Sequence, residues 1–347
     1  LRTAWSDKHA AYDILQGPTG KGIQDLFTPE VNSQAQGLPD GQDWTSDNAK
    51  TQQYDGYKVQ AVLNEIDGFD HSRSHNVGMP ALLGMNFQSV STAQKLPTSG
   101  GEPGGYQADG TPGPVLAGAL DFIDHEVGAM VSELKARHEF ASTTIILSAK
   151  HGQSPVDPRA LTRIPDGPIL AALNDAWRAD GHPGAPDLVA SATNDDAMIM
   201  WLSDKSSTAT TFAKQFLLGH DGTGNDIAGN PKPYTASGLA TVYAGQDAAD
   251  YFGTSLADPR VPDLYAVTQH GVVFTGGKGK IAEHGGAGPE DRNVPLVVSG
   301  PGTEGSSSAS VVETTQIAPT ILGLLGLSPR ELQAVRLEGT PALPLDR

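Results

Sequence analysis

The sequence predicts an α/β fold: a mostly parallel, doubly wound sheet flanked by helices, with a small inserted subdomain. Two observations carry this expectation. Apolar runs of strand length alternate with segments of helical spacing along most of the chain. The strongest run, Thr143-Thr144-Ile145-Ile146-Leu147-Ser148, is continuous rather than alternating, as in strands covered on both faces. A chain of 347 residues can bury one large core or two smaller ones. We read residues 1–347 as a single α/β domain and residues 203–260 as an insertion or subdomain.

Taken in order, the first fifty residues read as irregular, with turn-rich stretches at Gly17-Pro18-Thr19-Gly20 and Leu38-Pro39-Asp40-Gly41. From Tyr54 to Ile66, the apolar residues Tyr57, Val59, Val62, Leu63 and Ile66 then follow helical spacing. Ala81 to Phe87 reads as a short buried strand. The longest helix runs from Val115 to Leu134, with Pro114 just inside its start, where a missing N–H costs nothing. After the Thr143 to Ser148 strand come a helix at Ile169 to Ala179 and strands at Leu188 to Ser191 and Ala197 to Leu202. Ser206 to Gly253 reads as helix, Gly/Asn-rich loop, helix. Asp263 to Val267 and Val272 to Thr275 suggest a strand pair, and Val294 to Ser299 another buried strand. Thr314 to Leu325 is a helix that Pro319 kinks or starts.

Composition excludes several functions. A net charge of −17 repels nucleic-acid backbones and anionic membranes, so neither a nucleic-acid duplex nor a membrane is an expected partner. No run reaches the length of a membrane span. Without Cys there are no disulfides, thiolate metal sites or cysteine nucleophile. Any metal is then held by Asp, Glu, His, Asn or hydroxyl ligands, a donor set that suits zinc, calcium, magnesium or manganese. Low Lys, no Cys and many Ser, Thr and Gly fit a bacterial protein that is secreted or periplasmic. The opening Leu1-Arg2, without an initiator Met, reads as a processed, truncated or trimmed start.

Three segments place polar residues at strand ends, where open α/β sheets bind ligands. They are Met85-Asn86-Phe87-Gln88-Ser89-Val90-Ser91, Ser148-Ala149-Lys150-His151-Gly152-Gln153-Ser154-Pro155, and Glu283-His284-Gly285-Gly286. A His followed by Gly at a strand end lets the backbone turn while the imidazole projects toward a metal or phosphate. Alternatively, each His caps a strand or bonds a carbonyl. Trp5-Ser6-Asp7-Lys8-His9 either lines a crevice or forms a solvated turn. Asp67, Asp70, His71 and His75 offer metal-ligating types within nine residues, in a loop that also reads as plain surface. His125 and His138 read as structural. Asp291, Arg292 and Asn293 read as loop residues within reach of a contact to His284.

The succession of an apolar strand, Ser148-x-x-His151-Gly152, then His284-Gly285-Gly286 before Val294-Pro295-Leu296, then Thr314-Thr315-Gln316-Ile317-Ala318-Pro319-Thr320 resembles the alkaline phosphatase superfamily. With Gly84-Met85-Asn86-Phe87-Gln88 and Lys150-His151-Gly152-Gln153-Ser154-Pro155, it is most similar to a divergent bacterial subgroup of the type I phosphodiesterase/nucleotide pyrophosphatase family. The likeness spans nearly the whole chain.

That resemblance implies two-metal phosphoryl transfer, one ion activating a Thr or Ser nucleophile and the other stabilising an oxygen. The family's Asp-His-Gly motif falls on Lys150-His151-Gly152, so His151 inherits a second-metal role. The late family His falls on His284, a first-metal ligand. The family's Asp-x-x-x-His pair falls on Asn86 to Val90. Here Lys150 and Asn86 replace carboxylates, and Val90 stands where a His is expected. A lysine ammonium can occupy the electrostatic place of a metal ion. The site is therefore expected to hold one metal or fewer, with Lys150 supplying the missing charge, unless Lys150 merely pairs with a rim Asp. The family's first metal-binding Asp and its nucleophile precede the region resembling Arg2 to His9. The implied chain accordingly lacks its usual N-terminal strand and nucleophile, whether as a fragment or as a fold without them.

The expected function is metal-dependent hydrolysis of phosphodiester or pyrophosphate bonds in a small phosphate ester or nucleotide-like substrate, with zinc the foremost metal. Lys150 and Asn86 are the expected catalytic groups, and His151 and His284 the expected metal ligands. A sulfatase-like ester hydrolase, or a pseudo-enzyme that retains the fold for binding, are the alternatives.

Overall fold

Thr3-Ala4-Trp5-Ser6 carries no run of branched apolar residues, yet it forms the central strand of a parallel sheet. The computed structural model describes residues 1–275, 279–301, 303, 307 and 309–345. In it, Thr3–Ser6 lies between Asp25–Phe27 and Leu82–Met85, both parallel to it. Ala4 and Ser6 are buried, giving the strand its two-residue period. Trp5 lies against Gly84, where an added Cβ would come within 2.4 Å of the indole. Sequence reading treated this region as irregular, because four residues with one branched member give almost no β signal.

The described chain divides into two units. The first comprises Leu1–Ser89, Leu120–Lys150 and Val294–Arg347. Its helix Asn48–Ile66 is capped by Asp47, whose carboxylate accepts from the Lys50 N–H at 3.1 Å. Val62 and Ile66 pack with Leu134, Met79, Leu83, Met85 and Ile145 into one core. Tyr57, read as part of the apolar stripe, is exposed instead. The helix Pro114–Ala136 starts at its proline as expected and sends Met130 and Leu134 to this core. Ile145–Ser148 pairs antiparallel with Leu296–Ser299. These two strands are not covered on both faces: Leu147 is 41% and Val297 54% exposed. Branched residues favour a pleated strand on either a covered or an open face, so composition could not separate the two cases. Pro319 is the third residue of the helix Ile317–Leu324, inside the first turn, where it starts the helix rather than kinking it.

The second unit comprises Val90–Ala119 and His151–Asn293. Its main sheet runs Leu239–Ala244, Leu264–Thr268, Ala197–Leu202, Val189–Asn194, all antiparallel neighbours. The helices Asp166–Ala179 and Ser207–Gly219 close over it, and Ile169, Leu173, Trp177, Met198, Met200, Leu217 and Leu264 form its core. A smaller sheet joins Pro231–Tyr234, Gly222–Asn225, Thr162–Ile164 and Val272–Phe274.

The α/β class is thus present, with parallel pairing concentrated in the first unit. Val189–Asn194 and Ala197–Leu202 are joined only by Asp195-Asp196, and so short a link permits antiparallel pairing alone. Two further expectations are corrected. Leu264–Thr268 and Val272–Phe274 belong to different sheets rather than pairing with each other. The Gly/Asn-rich stretch after Gly219 is a hairpin, Gly222–Asn225 with Pro231–Tyr234, followed by the sheet strand Leu239–Ala244. Its turn is set by Asp226, whose carboxylate accepts from the Asn230 N–H at 2.8 Å.

Candidate functional site

In the second unit, His151 and His284 come together although 133 residues separate them in sequence (284 less 151). Their ring centroids are 4.0 Å apart at an interplanar angle of 37°. The glycine after His151 is required by close approach rather than by a turn. The Gly152 N–H donates to the Asp291 carbonyl at 2.6 Å, and a Cβ at Gly152 would lie 1.9 Å from the Glu290 carbonyl oxygen. The glycines after His284 have two reasons. Gly285 takes φ +101°, and a Cβ on Gly286 would sit 2.6 Å from Asp291 Oδ2. His151 Nδ1 lies 2.8 Å from the Gly152 carbonyl. A carbonyl only accepts, so Nδ1 carries the proton and the neutral ring has its lone pair on Nε2, the form that ligates metals.

Carboxylates surround the histidines. Ser154 and Glu283 form a backbone bridge, Ser154 N–H to Glu283 O at 2.9 Å and Glu283 N–H to Ser154 O at 3.0 Å. That bridge fixes the segment carrying His284. Asp195, Glu283 and His284 each offer a ligand atom, and these lie within 4.8 Å of one another. Burial, then the Glu283 charge, pushes the Asp195 carboxyl up to about 6. Burial also works against the Glu283 charge, but Lys95 at 2.7 Å and Lys280 outweigh it and hold Glu283 below its ordinary value. Beside them, Ser154 Oγ lies 2.9 Å from Asp196 Oδ2 and 3.2 Å from Asp291 Oδ2. Burial raises both of these carboxyls, and for Asp196 the Asp291 charge adds to it. The one hydroxyl proton can be donated to only one of the two carboxylates at a time.

Asn86 and Lys150 lie in the first unit. Lys150 is exposed at the end of Ile145–Ser148 and makes no hydrogen bond or ion pair among the described residues. No rim Asp holds it. Asn86 is held from the helix Asn48–Ile66, whose Lys58 Nζ donates to the Asn86 carbonyl. The Asp55 carboxylate accepts from the backbone N–H of Gln88 at 2.8 Å and of Ser89 at 2.8 Å. Asp55 and Lys58 pair at 3.1 Å, both fully buried. Lys8 Nζ donates to Gln88 Oε1 at 3.3 Å, and Gln88 Nε2 to Asn86 Oδ1 at 2.8 Å. Trp5 to Lys8 therefore folds onto this segment and is not a solvated turn. Val90 packs against Ala93 and Leu116 and brings no ligand.

The Asp67, Asp70, His71, His75 group separates into pairs: Asp67 with Arg73, Asp70 with His75, and His71 with Asp25. The sequence pattern singled out the segment carrying Ser154 but not Asp195, Asp196, Lys95 or Lys280. Asp195-Asp196 looked like ordinary turn residues, and a doubled acid between two strands was the one available sign.

One divalent ion suits the second unit: Asp195, Glu283 and His284 offer two carboxylates and an imidazole, a zinc or manganese donor set. A second ion does not fit, since positions 86, 90 and 150 carry Asn, Val and Lys where the resemblance expects ligands.

Comparison with known proteins agrees with this architecture. A sequence model of the type I phosphodiesterase / nucleotide pyrophosphatase family matches residues 22–290. A search of curated protein sequences returns no match. Human ectonucleotide pyrophosphatase/phosphodiesterase 5 superposes with TM-score 0.53 at 13% identity, over 94% of this chain and 68% of that one. An inactive murine form of that protein, in complex with AMP, gives TM-score 0.57 at 12% identity, with the same coverages of 94% and 68%. The alkaline phosphatase PafA gives TM-score 0.56 at 15% identity, over 86% of this chain and 57% of its own. At such identities the structural likeness is one of fold. The family match spans well over half of the sequence, and this chain belongs to the type I phosphodiesterase / nucleotide pyrophosphatase family.

Proposed function

We propose that the chain hydrolyses phosphodiester or pyrophosphate bonds of small, nucleotide-like substrates, with one divalent ion, zinc foremost, held by His284 and His151. The observation that carries this reading is the contact of the two imidazoles at 4.0 Å, with His151 in its metal-ligating tautomer. A bound ion would act as a Lewis acid on a phosphoryl oxygen. The family match and the AMP complex of the murine relative support the substrate class.

The chain's own groups set the rest. The Gly152 contact with residue 291 and the Ser154–Glu283 bridge orient the histidines. Lys150, next in sequence to His151, is proposed to hold a substrate oxygen as a fixed positive charge. Asn86 is proposed to donate a hydrogen bond through its amide nitrogen. No described residue is assigned as nucleophile. No helix among the described residues is long and apolar enough to cross a membrane, and we place the protein outside the cytoplasm of a bacterium on its composition.

The test is turnover of bis(p-nitrophenyl) phosphate and of a dinucleotide pyrophosphate by metal-free chain to which zinc is returned. Zinc-dependent release that is lost in Lys150→Ala supports the proposal. Absence of turnover by zinc-loaded chain would overturn it in favour of a binding role, and preference for an aryl sulfate would overturn the substrate class.

A further inference from the structure

Glu283 is buried and carries two ammonium partners of very different exposure. Lys95, at the end of the helix Ser89–Lys95, is 17% exposed, and its carbonyl is engaged by the Ile281 N–H at 2.9 Å. Lys280 is 50% exposed, and a Cβ on its neighbour Gly279 would meet nothing within 4 Å. With Asp195 the cluster holds two carboxylates and two ammoniums. The chain balances its own charge there.

We propose that Lys280 is a displaceable competitor for a divalent ion at a site formed by Asp195, Glu283 and His284. Its ammonium occupies Glu283 until the ion binds, and then leaves. The idea rests on the metal-dependent reading above but concerns which side chains hold the ion. Asp195 and Glu283 are carboxylates, whereas positions 86, 90 and 150 carry Asn, Val and Lys, so they provide negative charge that those positions lack. An ammonium and a metal ion cannot use the same carboxylate lone pair, and they repel one another. Lys280 can withdraw because its head already reaches solvent on a flexible four-carbon stem. Lys95 cannot, being largely buried on a helix, and it remains to orient the carboxylate. The two lysines should therefore answer differently to neutralisation.

The experiment is calorimetric titration of zinc into the full chain, stripped of metal, with folding of each variant checked by far-UV circular dichroism. Lys280→Met should bind zinc roughly five- to ten-fold more tightly than wild type, the scale of one screened charge, with a smaller difference at high salt. Lys280→Arg, which keeps the charge, should stay near wild type. Asp195→Asn should weaken binding by about ten-fold or more. Lys95→Met should give no tightening. Equal or weaker binding by Lys280→Met overturns the competitor role, and unchanged binding by Asp195→Asn overturns the ligand set. Because no turnover is read, these outcomes are separate from those of the hydrolysis test. Zinc binding that shifts as described without hydrolysis counts only against the proposed activity. Hydrolysis without the shifts counts only against Lys280 and Asp195.

Discussion

Glu65 sits on the helix Asn48–Ile66 at 0% exposure, with no hydrogen-bond partner for either carboxylate oxygen among the described residues. Burial, and after it the Asp25 charge, pushes its pKa from 4.5 up to about 8, with Arg2 working the other way. The sign follows from proton counting. Between pH 4.5 and about 8 the folded chain keeps a proton that the unfolded chain has released, so stability falls as pH rises through this window. At about 1.4 kcal/mol per pH unit, the loss is roughly 3 kcal/mol by pH 7 and roughly 5 kcal/mol above pH 8. Glu65→Gln keeps the shape and cannot ionise. Its amide pays a desolvation cost, but that cost is the same at every pH. Urea midpoints measured at pH 5, 7 and 9 should therefore diverge, the variant gaining on wild type by about those amounts. Parallel midpoints over the whole range would refute a buried, protonated Glu65.

Other perturbations follow from the same geometry. Asp55→Asn strands the Lys58 ammonium in a fully buried site and should cost about 3–5 kcal/mol in urea unfolding, whereas breaking the solvated Arg178–Asp187 pair should barely move the midpoint. Gly152→Ala places a methyl 1.9 Å from a backbone carbonyl, so the His151 loop must shift. A stability loss of about 1–3 kcal/mol should accompany weaker zinc binding, read by thermal unfolding with and without zinc. His284→Ala should weaken zinc binding by roughly a hundred-fold or more in the calorimeter while leaving far-UV circular dichroism intact.

The helices were legible because their buried faces repeat: Val59, Val62 and Ile66 on one, Met130 and Leu134 on the other. The two His-Gly steps were visible in the sequence, and the structure brings their imidazoles together; the sequence had no sign that they would touch. Polar burial was not visible. Asp55, Lys58 and Glu65 look in sequence like the charged face of a helix, and only the packing of Gln88, Ser89 and Asp25 around them turns that face inward. Strand pairing was misread where the contact is long-range. Leu264–Thr268 adjoins Ala197–Leu202 across some sixty residues, a contact that no local pattern announces. The carboxylate cluster depends on similar long-range closures, with Asp196 and Asp291 meeting at Ser154.

The Asp55–Lys58 pair has a bearing on how this part of the family can drift. The two side chains satisfy the carbonyl of Asn86 and the N–H groups of Gln88 and Ser89, so the backbone of this segment is held from behind, by the helix. An ion is not what keeps it in shape. The Asn86 side chain is therefore not what fixes this backbone, and a carboxylate there can give way to an amide without the loop unravelling. A saturation library should find position 86 permissive for folding and positions 55 and 58 intolerant, a division that locates the freedom to change chemistry one layer above the residues that preserve the fold.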